Sequence, residues 1–105
     1  FGPQSRVDNE IAPEAYRLAQ NYPNPFNPST TISYELPQDG LVSITVMDLT
    51  GRHVASLVSG NQRSGTHSVR WNSTNDSGQK VSAGMYYYKI QVGDFTETRK
   101  MTLLK

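Results

Sequence analysis

The sequence predicts an all-β domain, an immunoglobulin-like antiparallel β-sandwich of about seven strands. Two observations support this fold class. From Thr31 onwards apolar and polar residues alternate with a period of two, as expected for strands with one buried face. Turn residues, chiefly Gly, Asn, Asp and Pro, interrupt the alternation about every 8–12 residues. The 105 residues have the size of one domain, which we divide into a linker over residues 1–15 and the sandwich over residues 16–105.

Each alternating run predicts one strand, ended by turn residues. These runs span residues 31–36, 41–49, 53–58, 66–71, 86–92 and 95–104. Gly51 lies where a tight turn needs a positive φ, so the strands on either side of it are expected to pair. Gly93 and Asp94 predict a second hairpin turn, before the last strand. Trp71 is expected to lie in the centre of the core.

The remaining segments lack strand patterning. Residues 59–65 and the polar stretch 72–80 predict loops. Residues 11–18 offer at most one helical turn, because Pro13 interrupts so short a segment.

Three prolines lie within six residues in the segment that precedes the first clear strand, at Pro23, Pro25 and Pro28. Each proline fixes φ, lacks an N–H and restricts the residue before it. The segment from Asn21 to Ser29 is therefore expected to follow an extended or turning path over the surface, and to be neither a helix nor a central strand.

Composition excludes several classes of function. The chain has no cysteine, which rules out disulfide scaffolds, thiol catalysis and Cys-ligated zinc or iron–sulfur sites. A net charge of +1 gives no basis for nucleic-acid binding. No apolar run approaches the ~20 residues that span a bilayer. We therefore expect no cofactor, no nucleic-acid partner and no membrane span.

The catalytic inventory is small. Only His53 and His67 are candidates for a general base near neutral pH, and their polar or mixed surroundings favour solvent-facing side chains. The sequence also lacks a nucleophile elbow, a phosphate-binding loop and a zinc-binding helix motif. We therefore expect a protein that is not an enzyme.

The sequence offers two alternative binding sites. Asn72, Asn75 and Asp76 offer oxygen ligands for a weak calcium site, although a single carboxylate is few for calcium and Asx-turn hydrogen bonds explain the same residues. Exposed tyrosines would suit carbohydrate binding, but strand spacing places Tyr34, Tyr86 and Tyr88 in the core with their hydroxyls at its rim. Only Tyr22 and Tyr87 are expected to be exposed.

Several strings occur in a fixed order from about residue 18 to the last residue. They are NYPNPFNPSTTI at 21–32, VMDLTGRHV at 46–54, GTH at 65–67, SAGMYYY at 82–88 and KMTLLK at 100–105. As an ordered set, ending on Leu-Leu-Lys, they closely resemble the type A C-terminal sorting domain of the Bacteroidetes type IX secretion system, the Por secretion system C-terminal domain family.

The resemblance implies a non-catalytic targeting module at the end of a larger exported protein. Members of this family are immunoglobulin-like sandwiches that direct an N-terminal cargo on the same chain through the outer-membrane translocon. A sortase-like peptidase then removes the domain upstream of its first strand. The expected location is the periplasm in transit, then the cell surface or the medium.

The resemblance also implies which residues carry the signal. They are Pro23, Asn24, Pro25 and Phe26 in the first motif, Gly84, Tyr86 and Tyr88 in the aromatic strand, and Gly93, Met101, Leu103, Leu104 and Lys105 in the terminal hairpin. Lys100 is a further candidate, because neither it nor Lys105 is needed for packing. A receptor is expected to recognise the terminal strand by adding a strand at its edge.

Two other functions remain open at this stage. One is a structural immunoglobulin-like domain similar to the hook-capping domain of flagellar assembly, which shares part of the Asp-x-x-Gly-Arg pattern at 48–52 and the Gly-x-Tyr pattern at 84–86. The other is a carbohydrate-binding accessory module of a secreted enzyme. The sorting function requires the domain to end the full-length chain, whereas the structural function permits an internal position.

Overall fold

A computed structural model describes residues 12–105 and shows seven β-strands. The strands are β1 (Arg17–Leu18), β2 (Thr30–Leu36), β3 (Gly40–Asp48), β4 (His53–Gln62), β5 (Gly65–Trp71), β6 (Gly84–Val92) and β7 (Phe95–Leu103). Residues 12–105 contain no helix long and apolar enough to cross a membrane.

The strands form two antiparallel sheets that face each other. One sheet has the order β1-β2-β5 and the other the order β4-β3-β6-β7. The short connection at Arg63 and Ser64 joins β4 of one sheet to β5 of the other. This arrangement confirms the predicted immunoglobulin-like sandwich and makes β7 one edge of the larger sheet.

The core lies between the two sheets and comes from the period-two alternation. Along β2 the residues Ile32, Tyr34 and Leu36 are buried, and they alternate with partly or fully exposed ones. Trp71 lies at the centre of the core, with its ring centroid 5.8 Å from that of Phe26 and 5.4 Å from that of Tyr86. Its predicted central position is confirmed.

The predicted turns are confirmed in detail. Gly51 has a φ of 88° and Gly93 a φ of 57°, both in the region that side chains disfavour. The Asp48 carboxylate closes the first of these turns by accepting hydrogen bonds from the hydroxyl of Thr50 and from the backbone N–H groups of Thr50 and Arg52. The bond from the Thr50 hydroxyl is the largest cause that lowers the pKa of this carboxyl.

Two sequence-based expectations about the elements are wrong. Residues 59–62 are not a loop, because β4 continues to Gln62 and pairs with the start of β3, Gly40 with Gln62 and Ser43 with Ser59. Polar Ser and Asn residues hid this extension, since an edge strand needs only backbone pairing there. Residues 17–18 form β1 and no helical turn, because they pair with β2.

The predicted linker over residues 1–15 falls largely outside the described residues. Residues 12–15 precede β1 without regular structure. Tyr16, the first residue of the predicted sandwich, stacks on Phe95 with ring centroids 4.9 Å apart. Contacts to the sandwich are therefore already made at the predicted boundary.

Candidate functional site

The Pro-rich motif and the terminal strand meet at the edge of the larger sheet. Residues 20–26, which we call the clasp, run beside the C-terminal half of β7. The backbone N–H of Phe26 donates to the carbonyl of Thr102 at 3.0 Å, and the N–H of Leu104 donates to the carbonyl of Phe26 at 2.8 Å. The N–H of Thr102 donates to the side-chain oxygen of Asn24 at 3.0 Å. A short parallel bridge thus joins two ends of the domain.

The prolines explain why Phe26 makes the bridge. Pro23 and Pro25 have no N–H to offer a neighbouring strand, so the following residues must supply the donors. Phe26 retains its N–H, and its side chain is 2% exposed because it packs against Trp71. The expectation of a surface path holds for the prolines, which are exposed, whereas Phe26 is a core residue.

Side chains extend the clasp towards β1. The Gln20 amide donates to the carbonyl of Lys100 at 2.9 Å. Farther along β7, the Arg99 guanidinium donates to the carbonyl of Leu18 at 2.7 Å. Buried Asn21 holds the clasp from inside by donating its side-chain amide to the Thr30 hydroxyl at 2.9 Å. These groups connect both sheets along one side of the sandwich.

Tyr88 links the clasp to β6 through its hydroxyl. This hydroxyl accepts the N–H of Asn21 at 2.7 Å and donates to the carbonyl of Ala19 at 2.7 Å. The residue is fully buried, and this burial is the main cause that raises the pKa of Tyr88 to about 12. The hydroxyl therefore stays neutral, as a donor to a carbonyl requires.

The structure brings most of the predicted signal residues together. Phe26, Tyr86, Tyr88, Met101 and Leu103 are buried and therefore hold the fold, whereas Pro23, Asn24, Pro25, Lys100, Leu104 and Lys105 are exposed around the clasp. Gly84 pairs with Leu103 at the same end of the hairpin. Gly93 does not join them, because it lies at the opposite end of β7, roughly 27 Å away at the usual rise per strand residue.

No backbone group within residues 12–105 covers the far half of the β7 edge. Both backbone polar groups of Thr102 point away from β6, towards the clasp. Because backbone direction alternates along a strand, the N–H and C=O groups of Thr96 and Thr98 point to the same side. They have no hydrogen-bond partner within residues 12–105. This stretch resembles the unprotected edges to which other strands add.

The last residues border a shallow groove beside the clasp. The groove has a volume of about 260 Å³, and Leu103, Leu104 and Lys105 line one side of it. Pro28 and Val81 lie among the residues opposite them. The Leu104 side chain is 50% exposed even though its backbone N–H is bonded to Phe26. This apolar side chain is thus held in place on the surface.

The two histidines are occupied by local contacts. Nε2 of His53 lies 2.8 Å from the Asp76 carboxylate, and Nε2 of His67 lies 2.7 Å from the carbonyl of Arg63. The ring of His67 also stacks on that of Tyr34. The Ser56 hydroxyl also lies 3.5 Å from Nε2 of His53, but the Asp76 carboxylate is closer to the same nitrogen.

In the loop at residues 72–80, the oxygens predicted as calcium ligands accept hydrogen bonds from different protein groups. The side-chain oxygen of Asn75 accepts the N–H groups of Ser77 and Gln79, both at 3.0 Å, which is the predicted Asx-turn pattern. Asp76 accepts the N–H of Ser56 at 2.8 Å, and this bond is the first cause of its lowered pKa. Asn72 accepts the Ser29 hydroxyl at 3.0 Å. Residues 12–105 hold no group of three or more carboxylates and histidines suited to a metal ion.

The tyrosine predictions are mostly confirmed. Tyr34, Tyr86 and Tyr88 are buried, and their hydroxyls bond to Gln62, to the carbonyl of Ser82 and to the clasp. Tyr22 is 81% exposed, as predicted. Tyr87 is only half-buried, because neighbouring side chains on its sheet face cover part of the ring.

Comparison with known protein families identifies the relatives of this sandwich. The sequence model of the FlgD Ig-like domain matches residues 26–94, which is more than half of the chain. The chain belongs to the FlgD Ig-like domain family. No curated protein sequence matches it. The family match ends before β7. It therefore includes Phe26 of the clasp but not β7, the strand to which Phe26 is hydrogen-bonded.

Solved structures resemble this Ig-like domain over most of its length. Dimeric latent PorU from Porphyromonas gingivalis superposes with a TM-score of 0.69 at 24% identity, over 90% of this chain and 10% of PorU. PorZ, an essential surface component of the type IX secretion system of the same organism, gives a TM-score of 0.56 at 21% identity, over 99% of this chain and 12% of PorZ.

FlgD from Xanthomonas campestris, a protein of hook capping in flagellar assembly, gives a TM-score of 0.57 at 21% identity, over 87% of this chain and 63% of that protein. These likenesses confirm the immunoglobulin-like fold. The Ig-like domain spans about a tenth of the length of PorU and PorZ, so it corresponds to a small part of them.

Sequence reasoning missed several residues of the site. Gln20, Asn21 and Arg99 hold the clasp, yet none was among the predicted signal residues. The contacts of these residues with β6 and β7 span 67 to 81 positions in the sequence. Local sequence patterns cannot predict contacts between residues so far apart. The one available signal was the polar residue Asn21 directly before the prolines.

Proposed function

We propose that this Ig-like domain is a C-terminal sorting domain, which directs an N-terminal cargo through the type IX secretion system across the outer membrane. In this role it has no catalytic activity, and its partners are the outer-membrane translocon and a sortase-like peptidase. The cargo passes through the periplasm to the cell surface or the medium. One observation carries the proposal: the two signal motifs implied by the sequence resemblance form a single hydrogen-bonded site, although 78 positions separate Asn24 from Thr102.

The open half of the β7 edge suggests how a receptor binds. Thr96 and Thr98 present backbone donors and acceptors at the edge of a four-stranded sheet. An extended receptor segment can pair with such groups and extend the sheet by one strand. The clasp and the exposed Leu104 and Lys105 then lie at the end of the added strand, where they are available for specific contacts.

The clasp also limits where a peptidase cuts. Leu18 and Ala19 accept hydrogen bonds from Arg99 and Tyr88, so the chain is already part of the folded domain at β1. Proteases cleave most readily where the backbone is not held by such bonds. The proposed processing point therefore lies before Arg17, which keeps the whole sorting site on the removed fragment.

Export of a reporter cargo tests the proposal. The reporter is fused to this domain in a bacterium with a type IX system, and its appearance at the surface and in the medium is measured. Deleting Leu103–Lys105 is expected to block export, and Lys100→Ala or Lys105→Ala to reduce it. The change Gln79→Ala, on an exposed loop residue, serves as the control and leaves export normal. The proposal would be contradicted if the deletion variant and both lysine variants were all exported normally.

A second pair of variants separates recognition from folding. Thr98→Pro removes one outward N–H from an edge strand, where proline is tolerated, whereas Thr98→Val retains the backbone donor. We expect Thr98→Pro to lose export and Thr98→Val to keep it, with both chains folded by circular dichroism. Equal export by two folded variants would refute strand addition at this edge.

A structural Ig-like module is the second candidate, because the FlgD family match covers residues 26–94 without needing β7. Mass spectrometry of the mature surface protein distinguishes the two. The sorting function expects a new C-terminus before Arg17 and loss of this domain. A mature protein that retains the domain supports the structural function.

A further inference from the structure

The larger sheet has an outer face that shares only Lys100 with the side chains of the proposed sorting site. It is formed by the side chains of β3, β4, β6 and β7 that point away from the core, and we call it the outer face. Strand register places His53, Met47, Tyr87 and Lys100 side by side in one row across all four strands. The next row contains Lys89 between Thr45 and Thr98. Directly paired residues share a face, so these side chains are neighbours.

Within the described residues, no carboxylate neutralises the lysines of the outer face. None of the residues that the register places on it is Asp or Glu. Lys89 and Lys100 form no ion pair with any carboxylate in residues 12–105. His53 differs, because Asp76 contacts it at the rim. The other sheet is the useful contrast: its outer face carries Glu35, which lies 3.8 Å from Arg17.

The two lysines flank one aromatic ring. Lys100 is directly opposite Tyr87 on β7, and Lys89 follows Tyr87 by two positions on the same face of β6. Tyr87 is half-buried, so part of its ring is open to solvent between the two cations. An aromatic surface with a polar tip suits a ligand that has both apolar C–H faces and hydroxyl groups.

Hydroxylated side chains surround these residues, and Leu41, Asn61, Met85 and Gln91 lie towards the ends of the strands on the same face. Ser43, Thr45, Ser56 and Ser59 lie on β3 and β4, and Thr96 and Thr98 lie on β7. Each hydroxyl both donates and accepts hydrogen bonds. Hydroxyls beside two lysines that form no ion pair within residues 12–105 complement a chain of sugar hydroxyls with acidic groups.

We propose that the outer face binds an anionic polysaccharide, with Tyr87 stacking on a sugar ring and Lys89 and Lys100 pairing with its acidic groups. Nucleic acid fits less well, because the net charge of +1 is small for a phosphate backbone. An acidic peptide would gain little from a sheet face, since strands bind peptides mainly through edge backbone groups. This site shares Lys100 with the proposed sorting site, but it uses neither the clasp nor the backbone edge of β7.

Affinity electrophoresis of the full chain tests the proposal, with polygalacturonate in the gel as the probe, neutral dextran as one control and polyglutamate as another. We expect polygalacturonate to retard the protein, high salt to weaken the retardation, and the other two polymers to have little effect. Lys89→Gln together with Tyr87→Ala is expected to weaken binding roughly tenfold. Arg70→Gln, on the outer face of the other sheet, is the matched control and leaves binding unchanged.

Three results would overturn the proposal: no retardation by polygalacturonate, equal retardation by polyglutamate, or equal binding by the Lys89→Gln/Tyr87→Ala variant and the unchanged protein. The single change Lys89→Gln, at a partly exposed position, guards against unfolding and is expected to weaken binding in the same direction. Neither residue belongs to the sorting site. Reporter export by these variants therefore stays normal, and failure of one proposal leaves the other standing.

Discussion

The two halves of β7 differ in what covers their outer edge. At Lys100 and Thr102 the clasp bonds to the outward backbone groups through Gln20, Asn24 and Phe26. At Thr96 and Thr98 nothing within residues 12–105 does so. Both halves pair with β6 on their inner side in an unbroken register. The difference therefore lies in the Pro-rich motif and not in the strand itself.

This contrast explains why a polar, proline-rich segment is tied so firmly to the sandwich. An uncovered edge strand pairs readily with foreign strands, and proteins usually shield it. The clasp shields one half of β7 and anchors the last residues of the chain. For the receptor strand that we propose, only a short stretch of β7 backbone is left uncovered by the clasp, which would favour a single binding register.

Removing the aromatic anchor of the clasp should have the largest effect. Phe26→Ala leaves a cavity against Trp71 and is expected to lower the free energy of unfolding by about 3–5 kcal/mol. Chemical denaturation measures this. The control is Tyr22→Ala, which truncates an aromatic side chain that is 81% exposed and is expected to cost less than about 0.5 kcal/mol. Similar costs for both changes would mean that Phe26 does not hold the clasp on the core.

Loss of the Tyr88 hydroxyl should have the next largest effect. Tyr88→Phe leaves the N–H of Asn21 and the carbonyl of Ala19 without their partner, at a cost of about 1–3 kcal/mol. Denaturation at neutral pH measures it. A cost near zero would show that water replaces the hydroxyl, and that Tyr88 does not link the clasp to β6.

The Tyr88→Phe variant should also change how the free energy of unfolding depends on pH. Burial raises the pKa of Tyr88 from 10.0 to about 12, so the unfolded chain loses this proton first. The raised pKa of Tyr88 therefore makes a contribution to the free energy of unfolding that is present below pH 10 and is lost as the pH rises towards 12. Tyr88→Phe should therefore lose less stability than the unchanged protein between these pH values. The Tyr88→Phe variant still loses some stability at high pH, because burial also raises the pKa values of Tyr34 and Tyr86.

A smaller effect is expected from the side-chain cap on Thr102. Asn24→Ala removes the acceptor of the Thr102 N–H and should cost about 0.5–1.5 kcal/mol. Hydrogen exchange should show faster exchange at Thr102 and no change at Thr98. Asn27→Ala is a matched control at an exposed neighbour for which the structure shows no side-chain hydrogen bond within residues 12–105. Unchanged exchange at Thr102 would argue against the cap.

The unchanged protein offers the mildest test. The Thr96 and Thr98 amides should exchange with solvent faster than the Thr102 amide, since an unbonded edge N–H is open to water. Amide exchange followed by NMR measures all three in one experiment. Equal protection along the strand would mean that something covers the open half.

Local patterns predicted those parts of the fold that depend on neighbours in the sequence. Ile32, Tyr34 and Leu36 share a buried face because side chains alternate along any strand, and Gly51 and Gly93 lie in turns because they tolerate a positive φ. The end of β4 was missed, since its polar residues show no alternation and its pairing with β3 uses the backbone alone.

The candidate site was predicted only in part, for a related reason. The resemblance pointed to Asn24, Phe26 and the terminal strand as separate signal elements, and the structure joins them in one site. It also shows that Phe26, Met101 and Leu103 serve the core, so their loss would disturb folding along with any recognition. The clasp contacts of Gln20 and Arg99 leave no trace in local patterning.

The sequence by itself determined the all-β class, most of the strands, the turns and the lack of thiol chemistry, because these follow from composition and from the period-two placement of apolar residues. Only the tertiary structure decided that residues 20–26 cover one half of the β7 edge and do not reach the other half. It also decided that one sheet face places Lys89 and Lys100 beside Tyr87. Both features depend on strand pairing between distant residues, which a linear pattern does not specify.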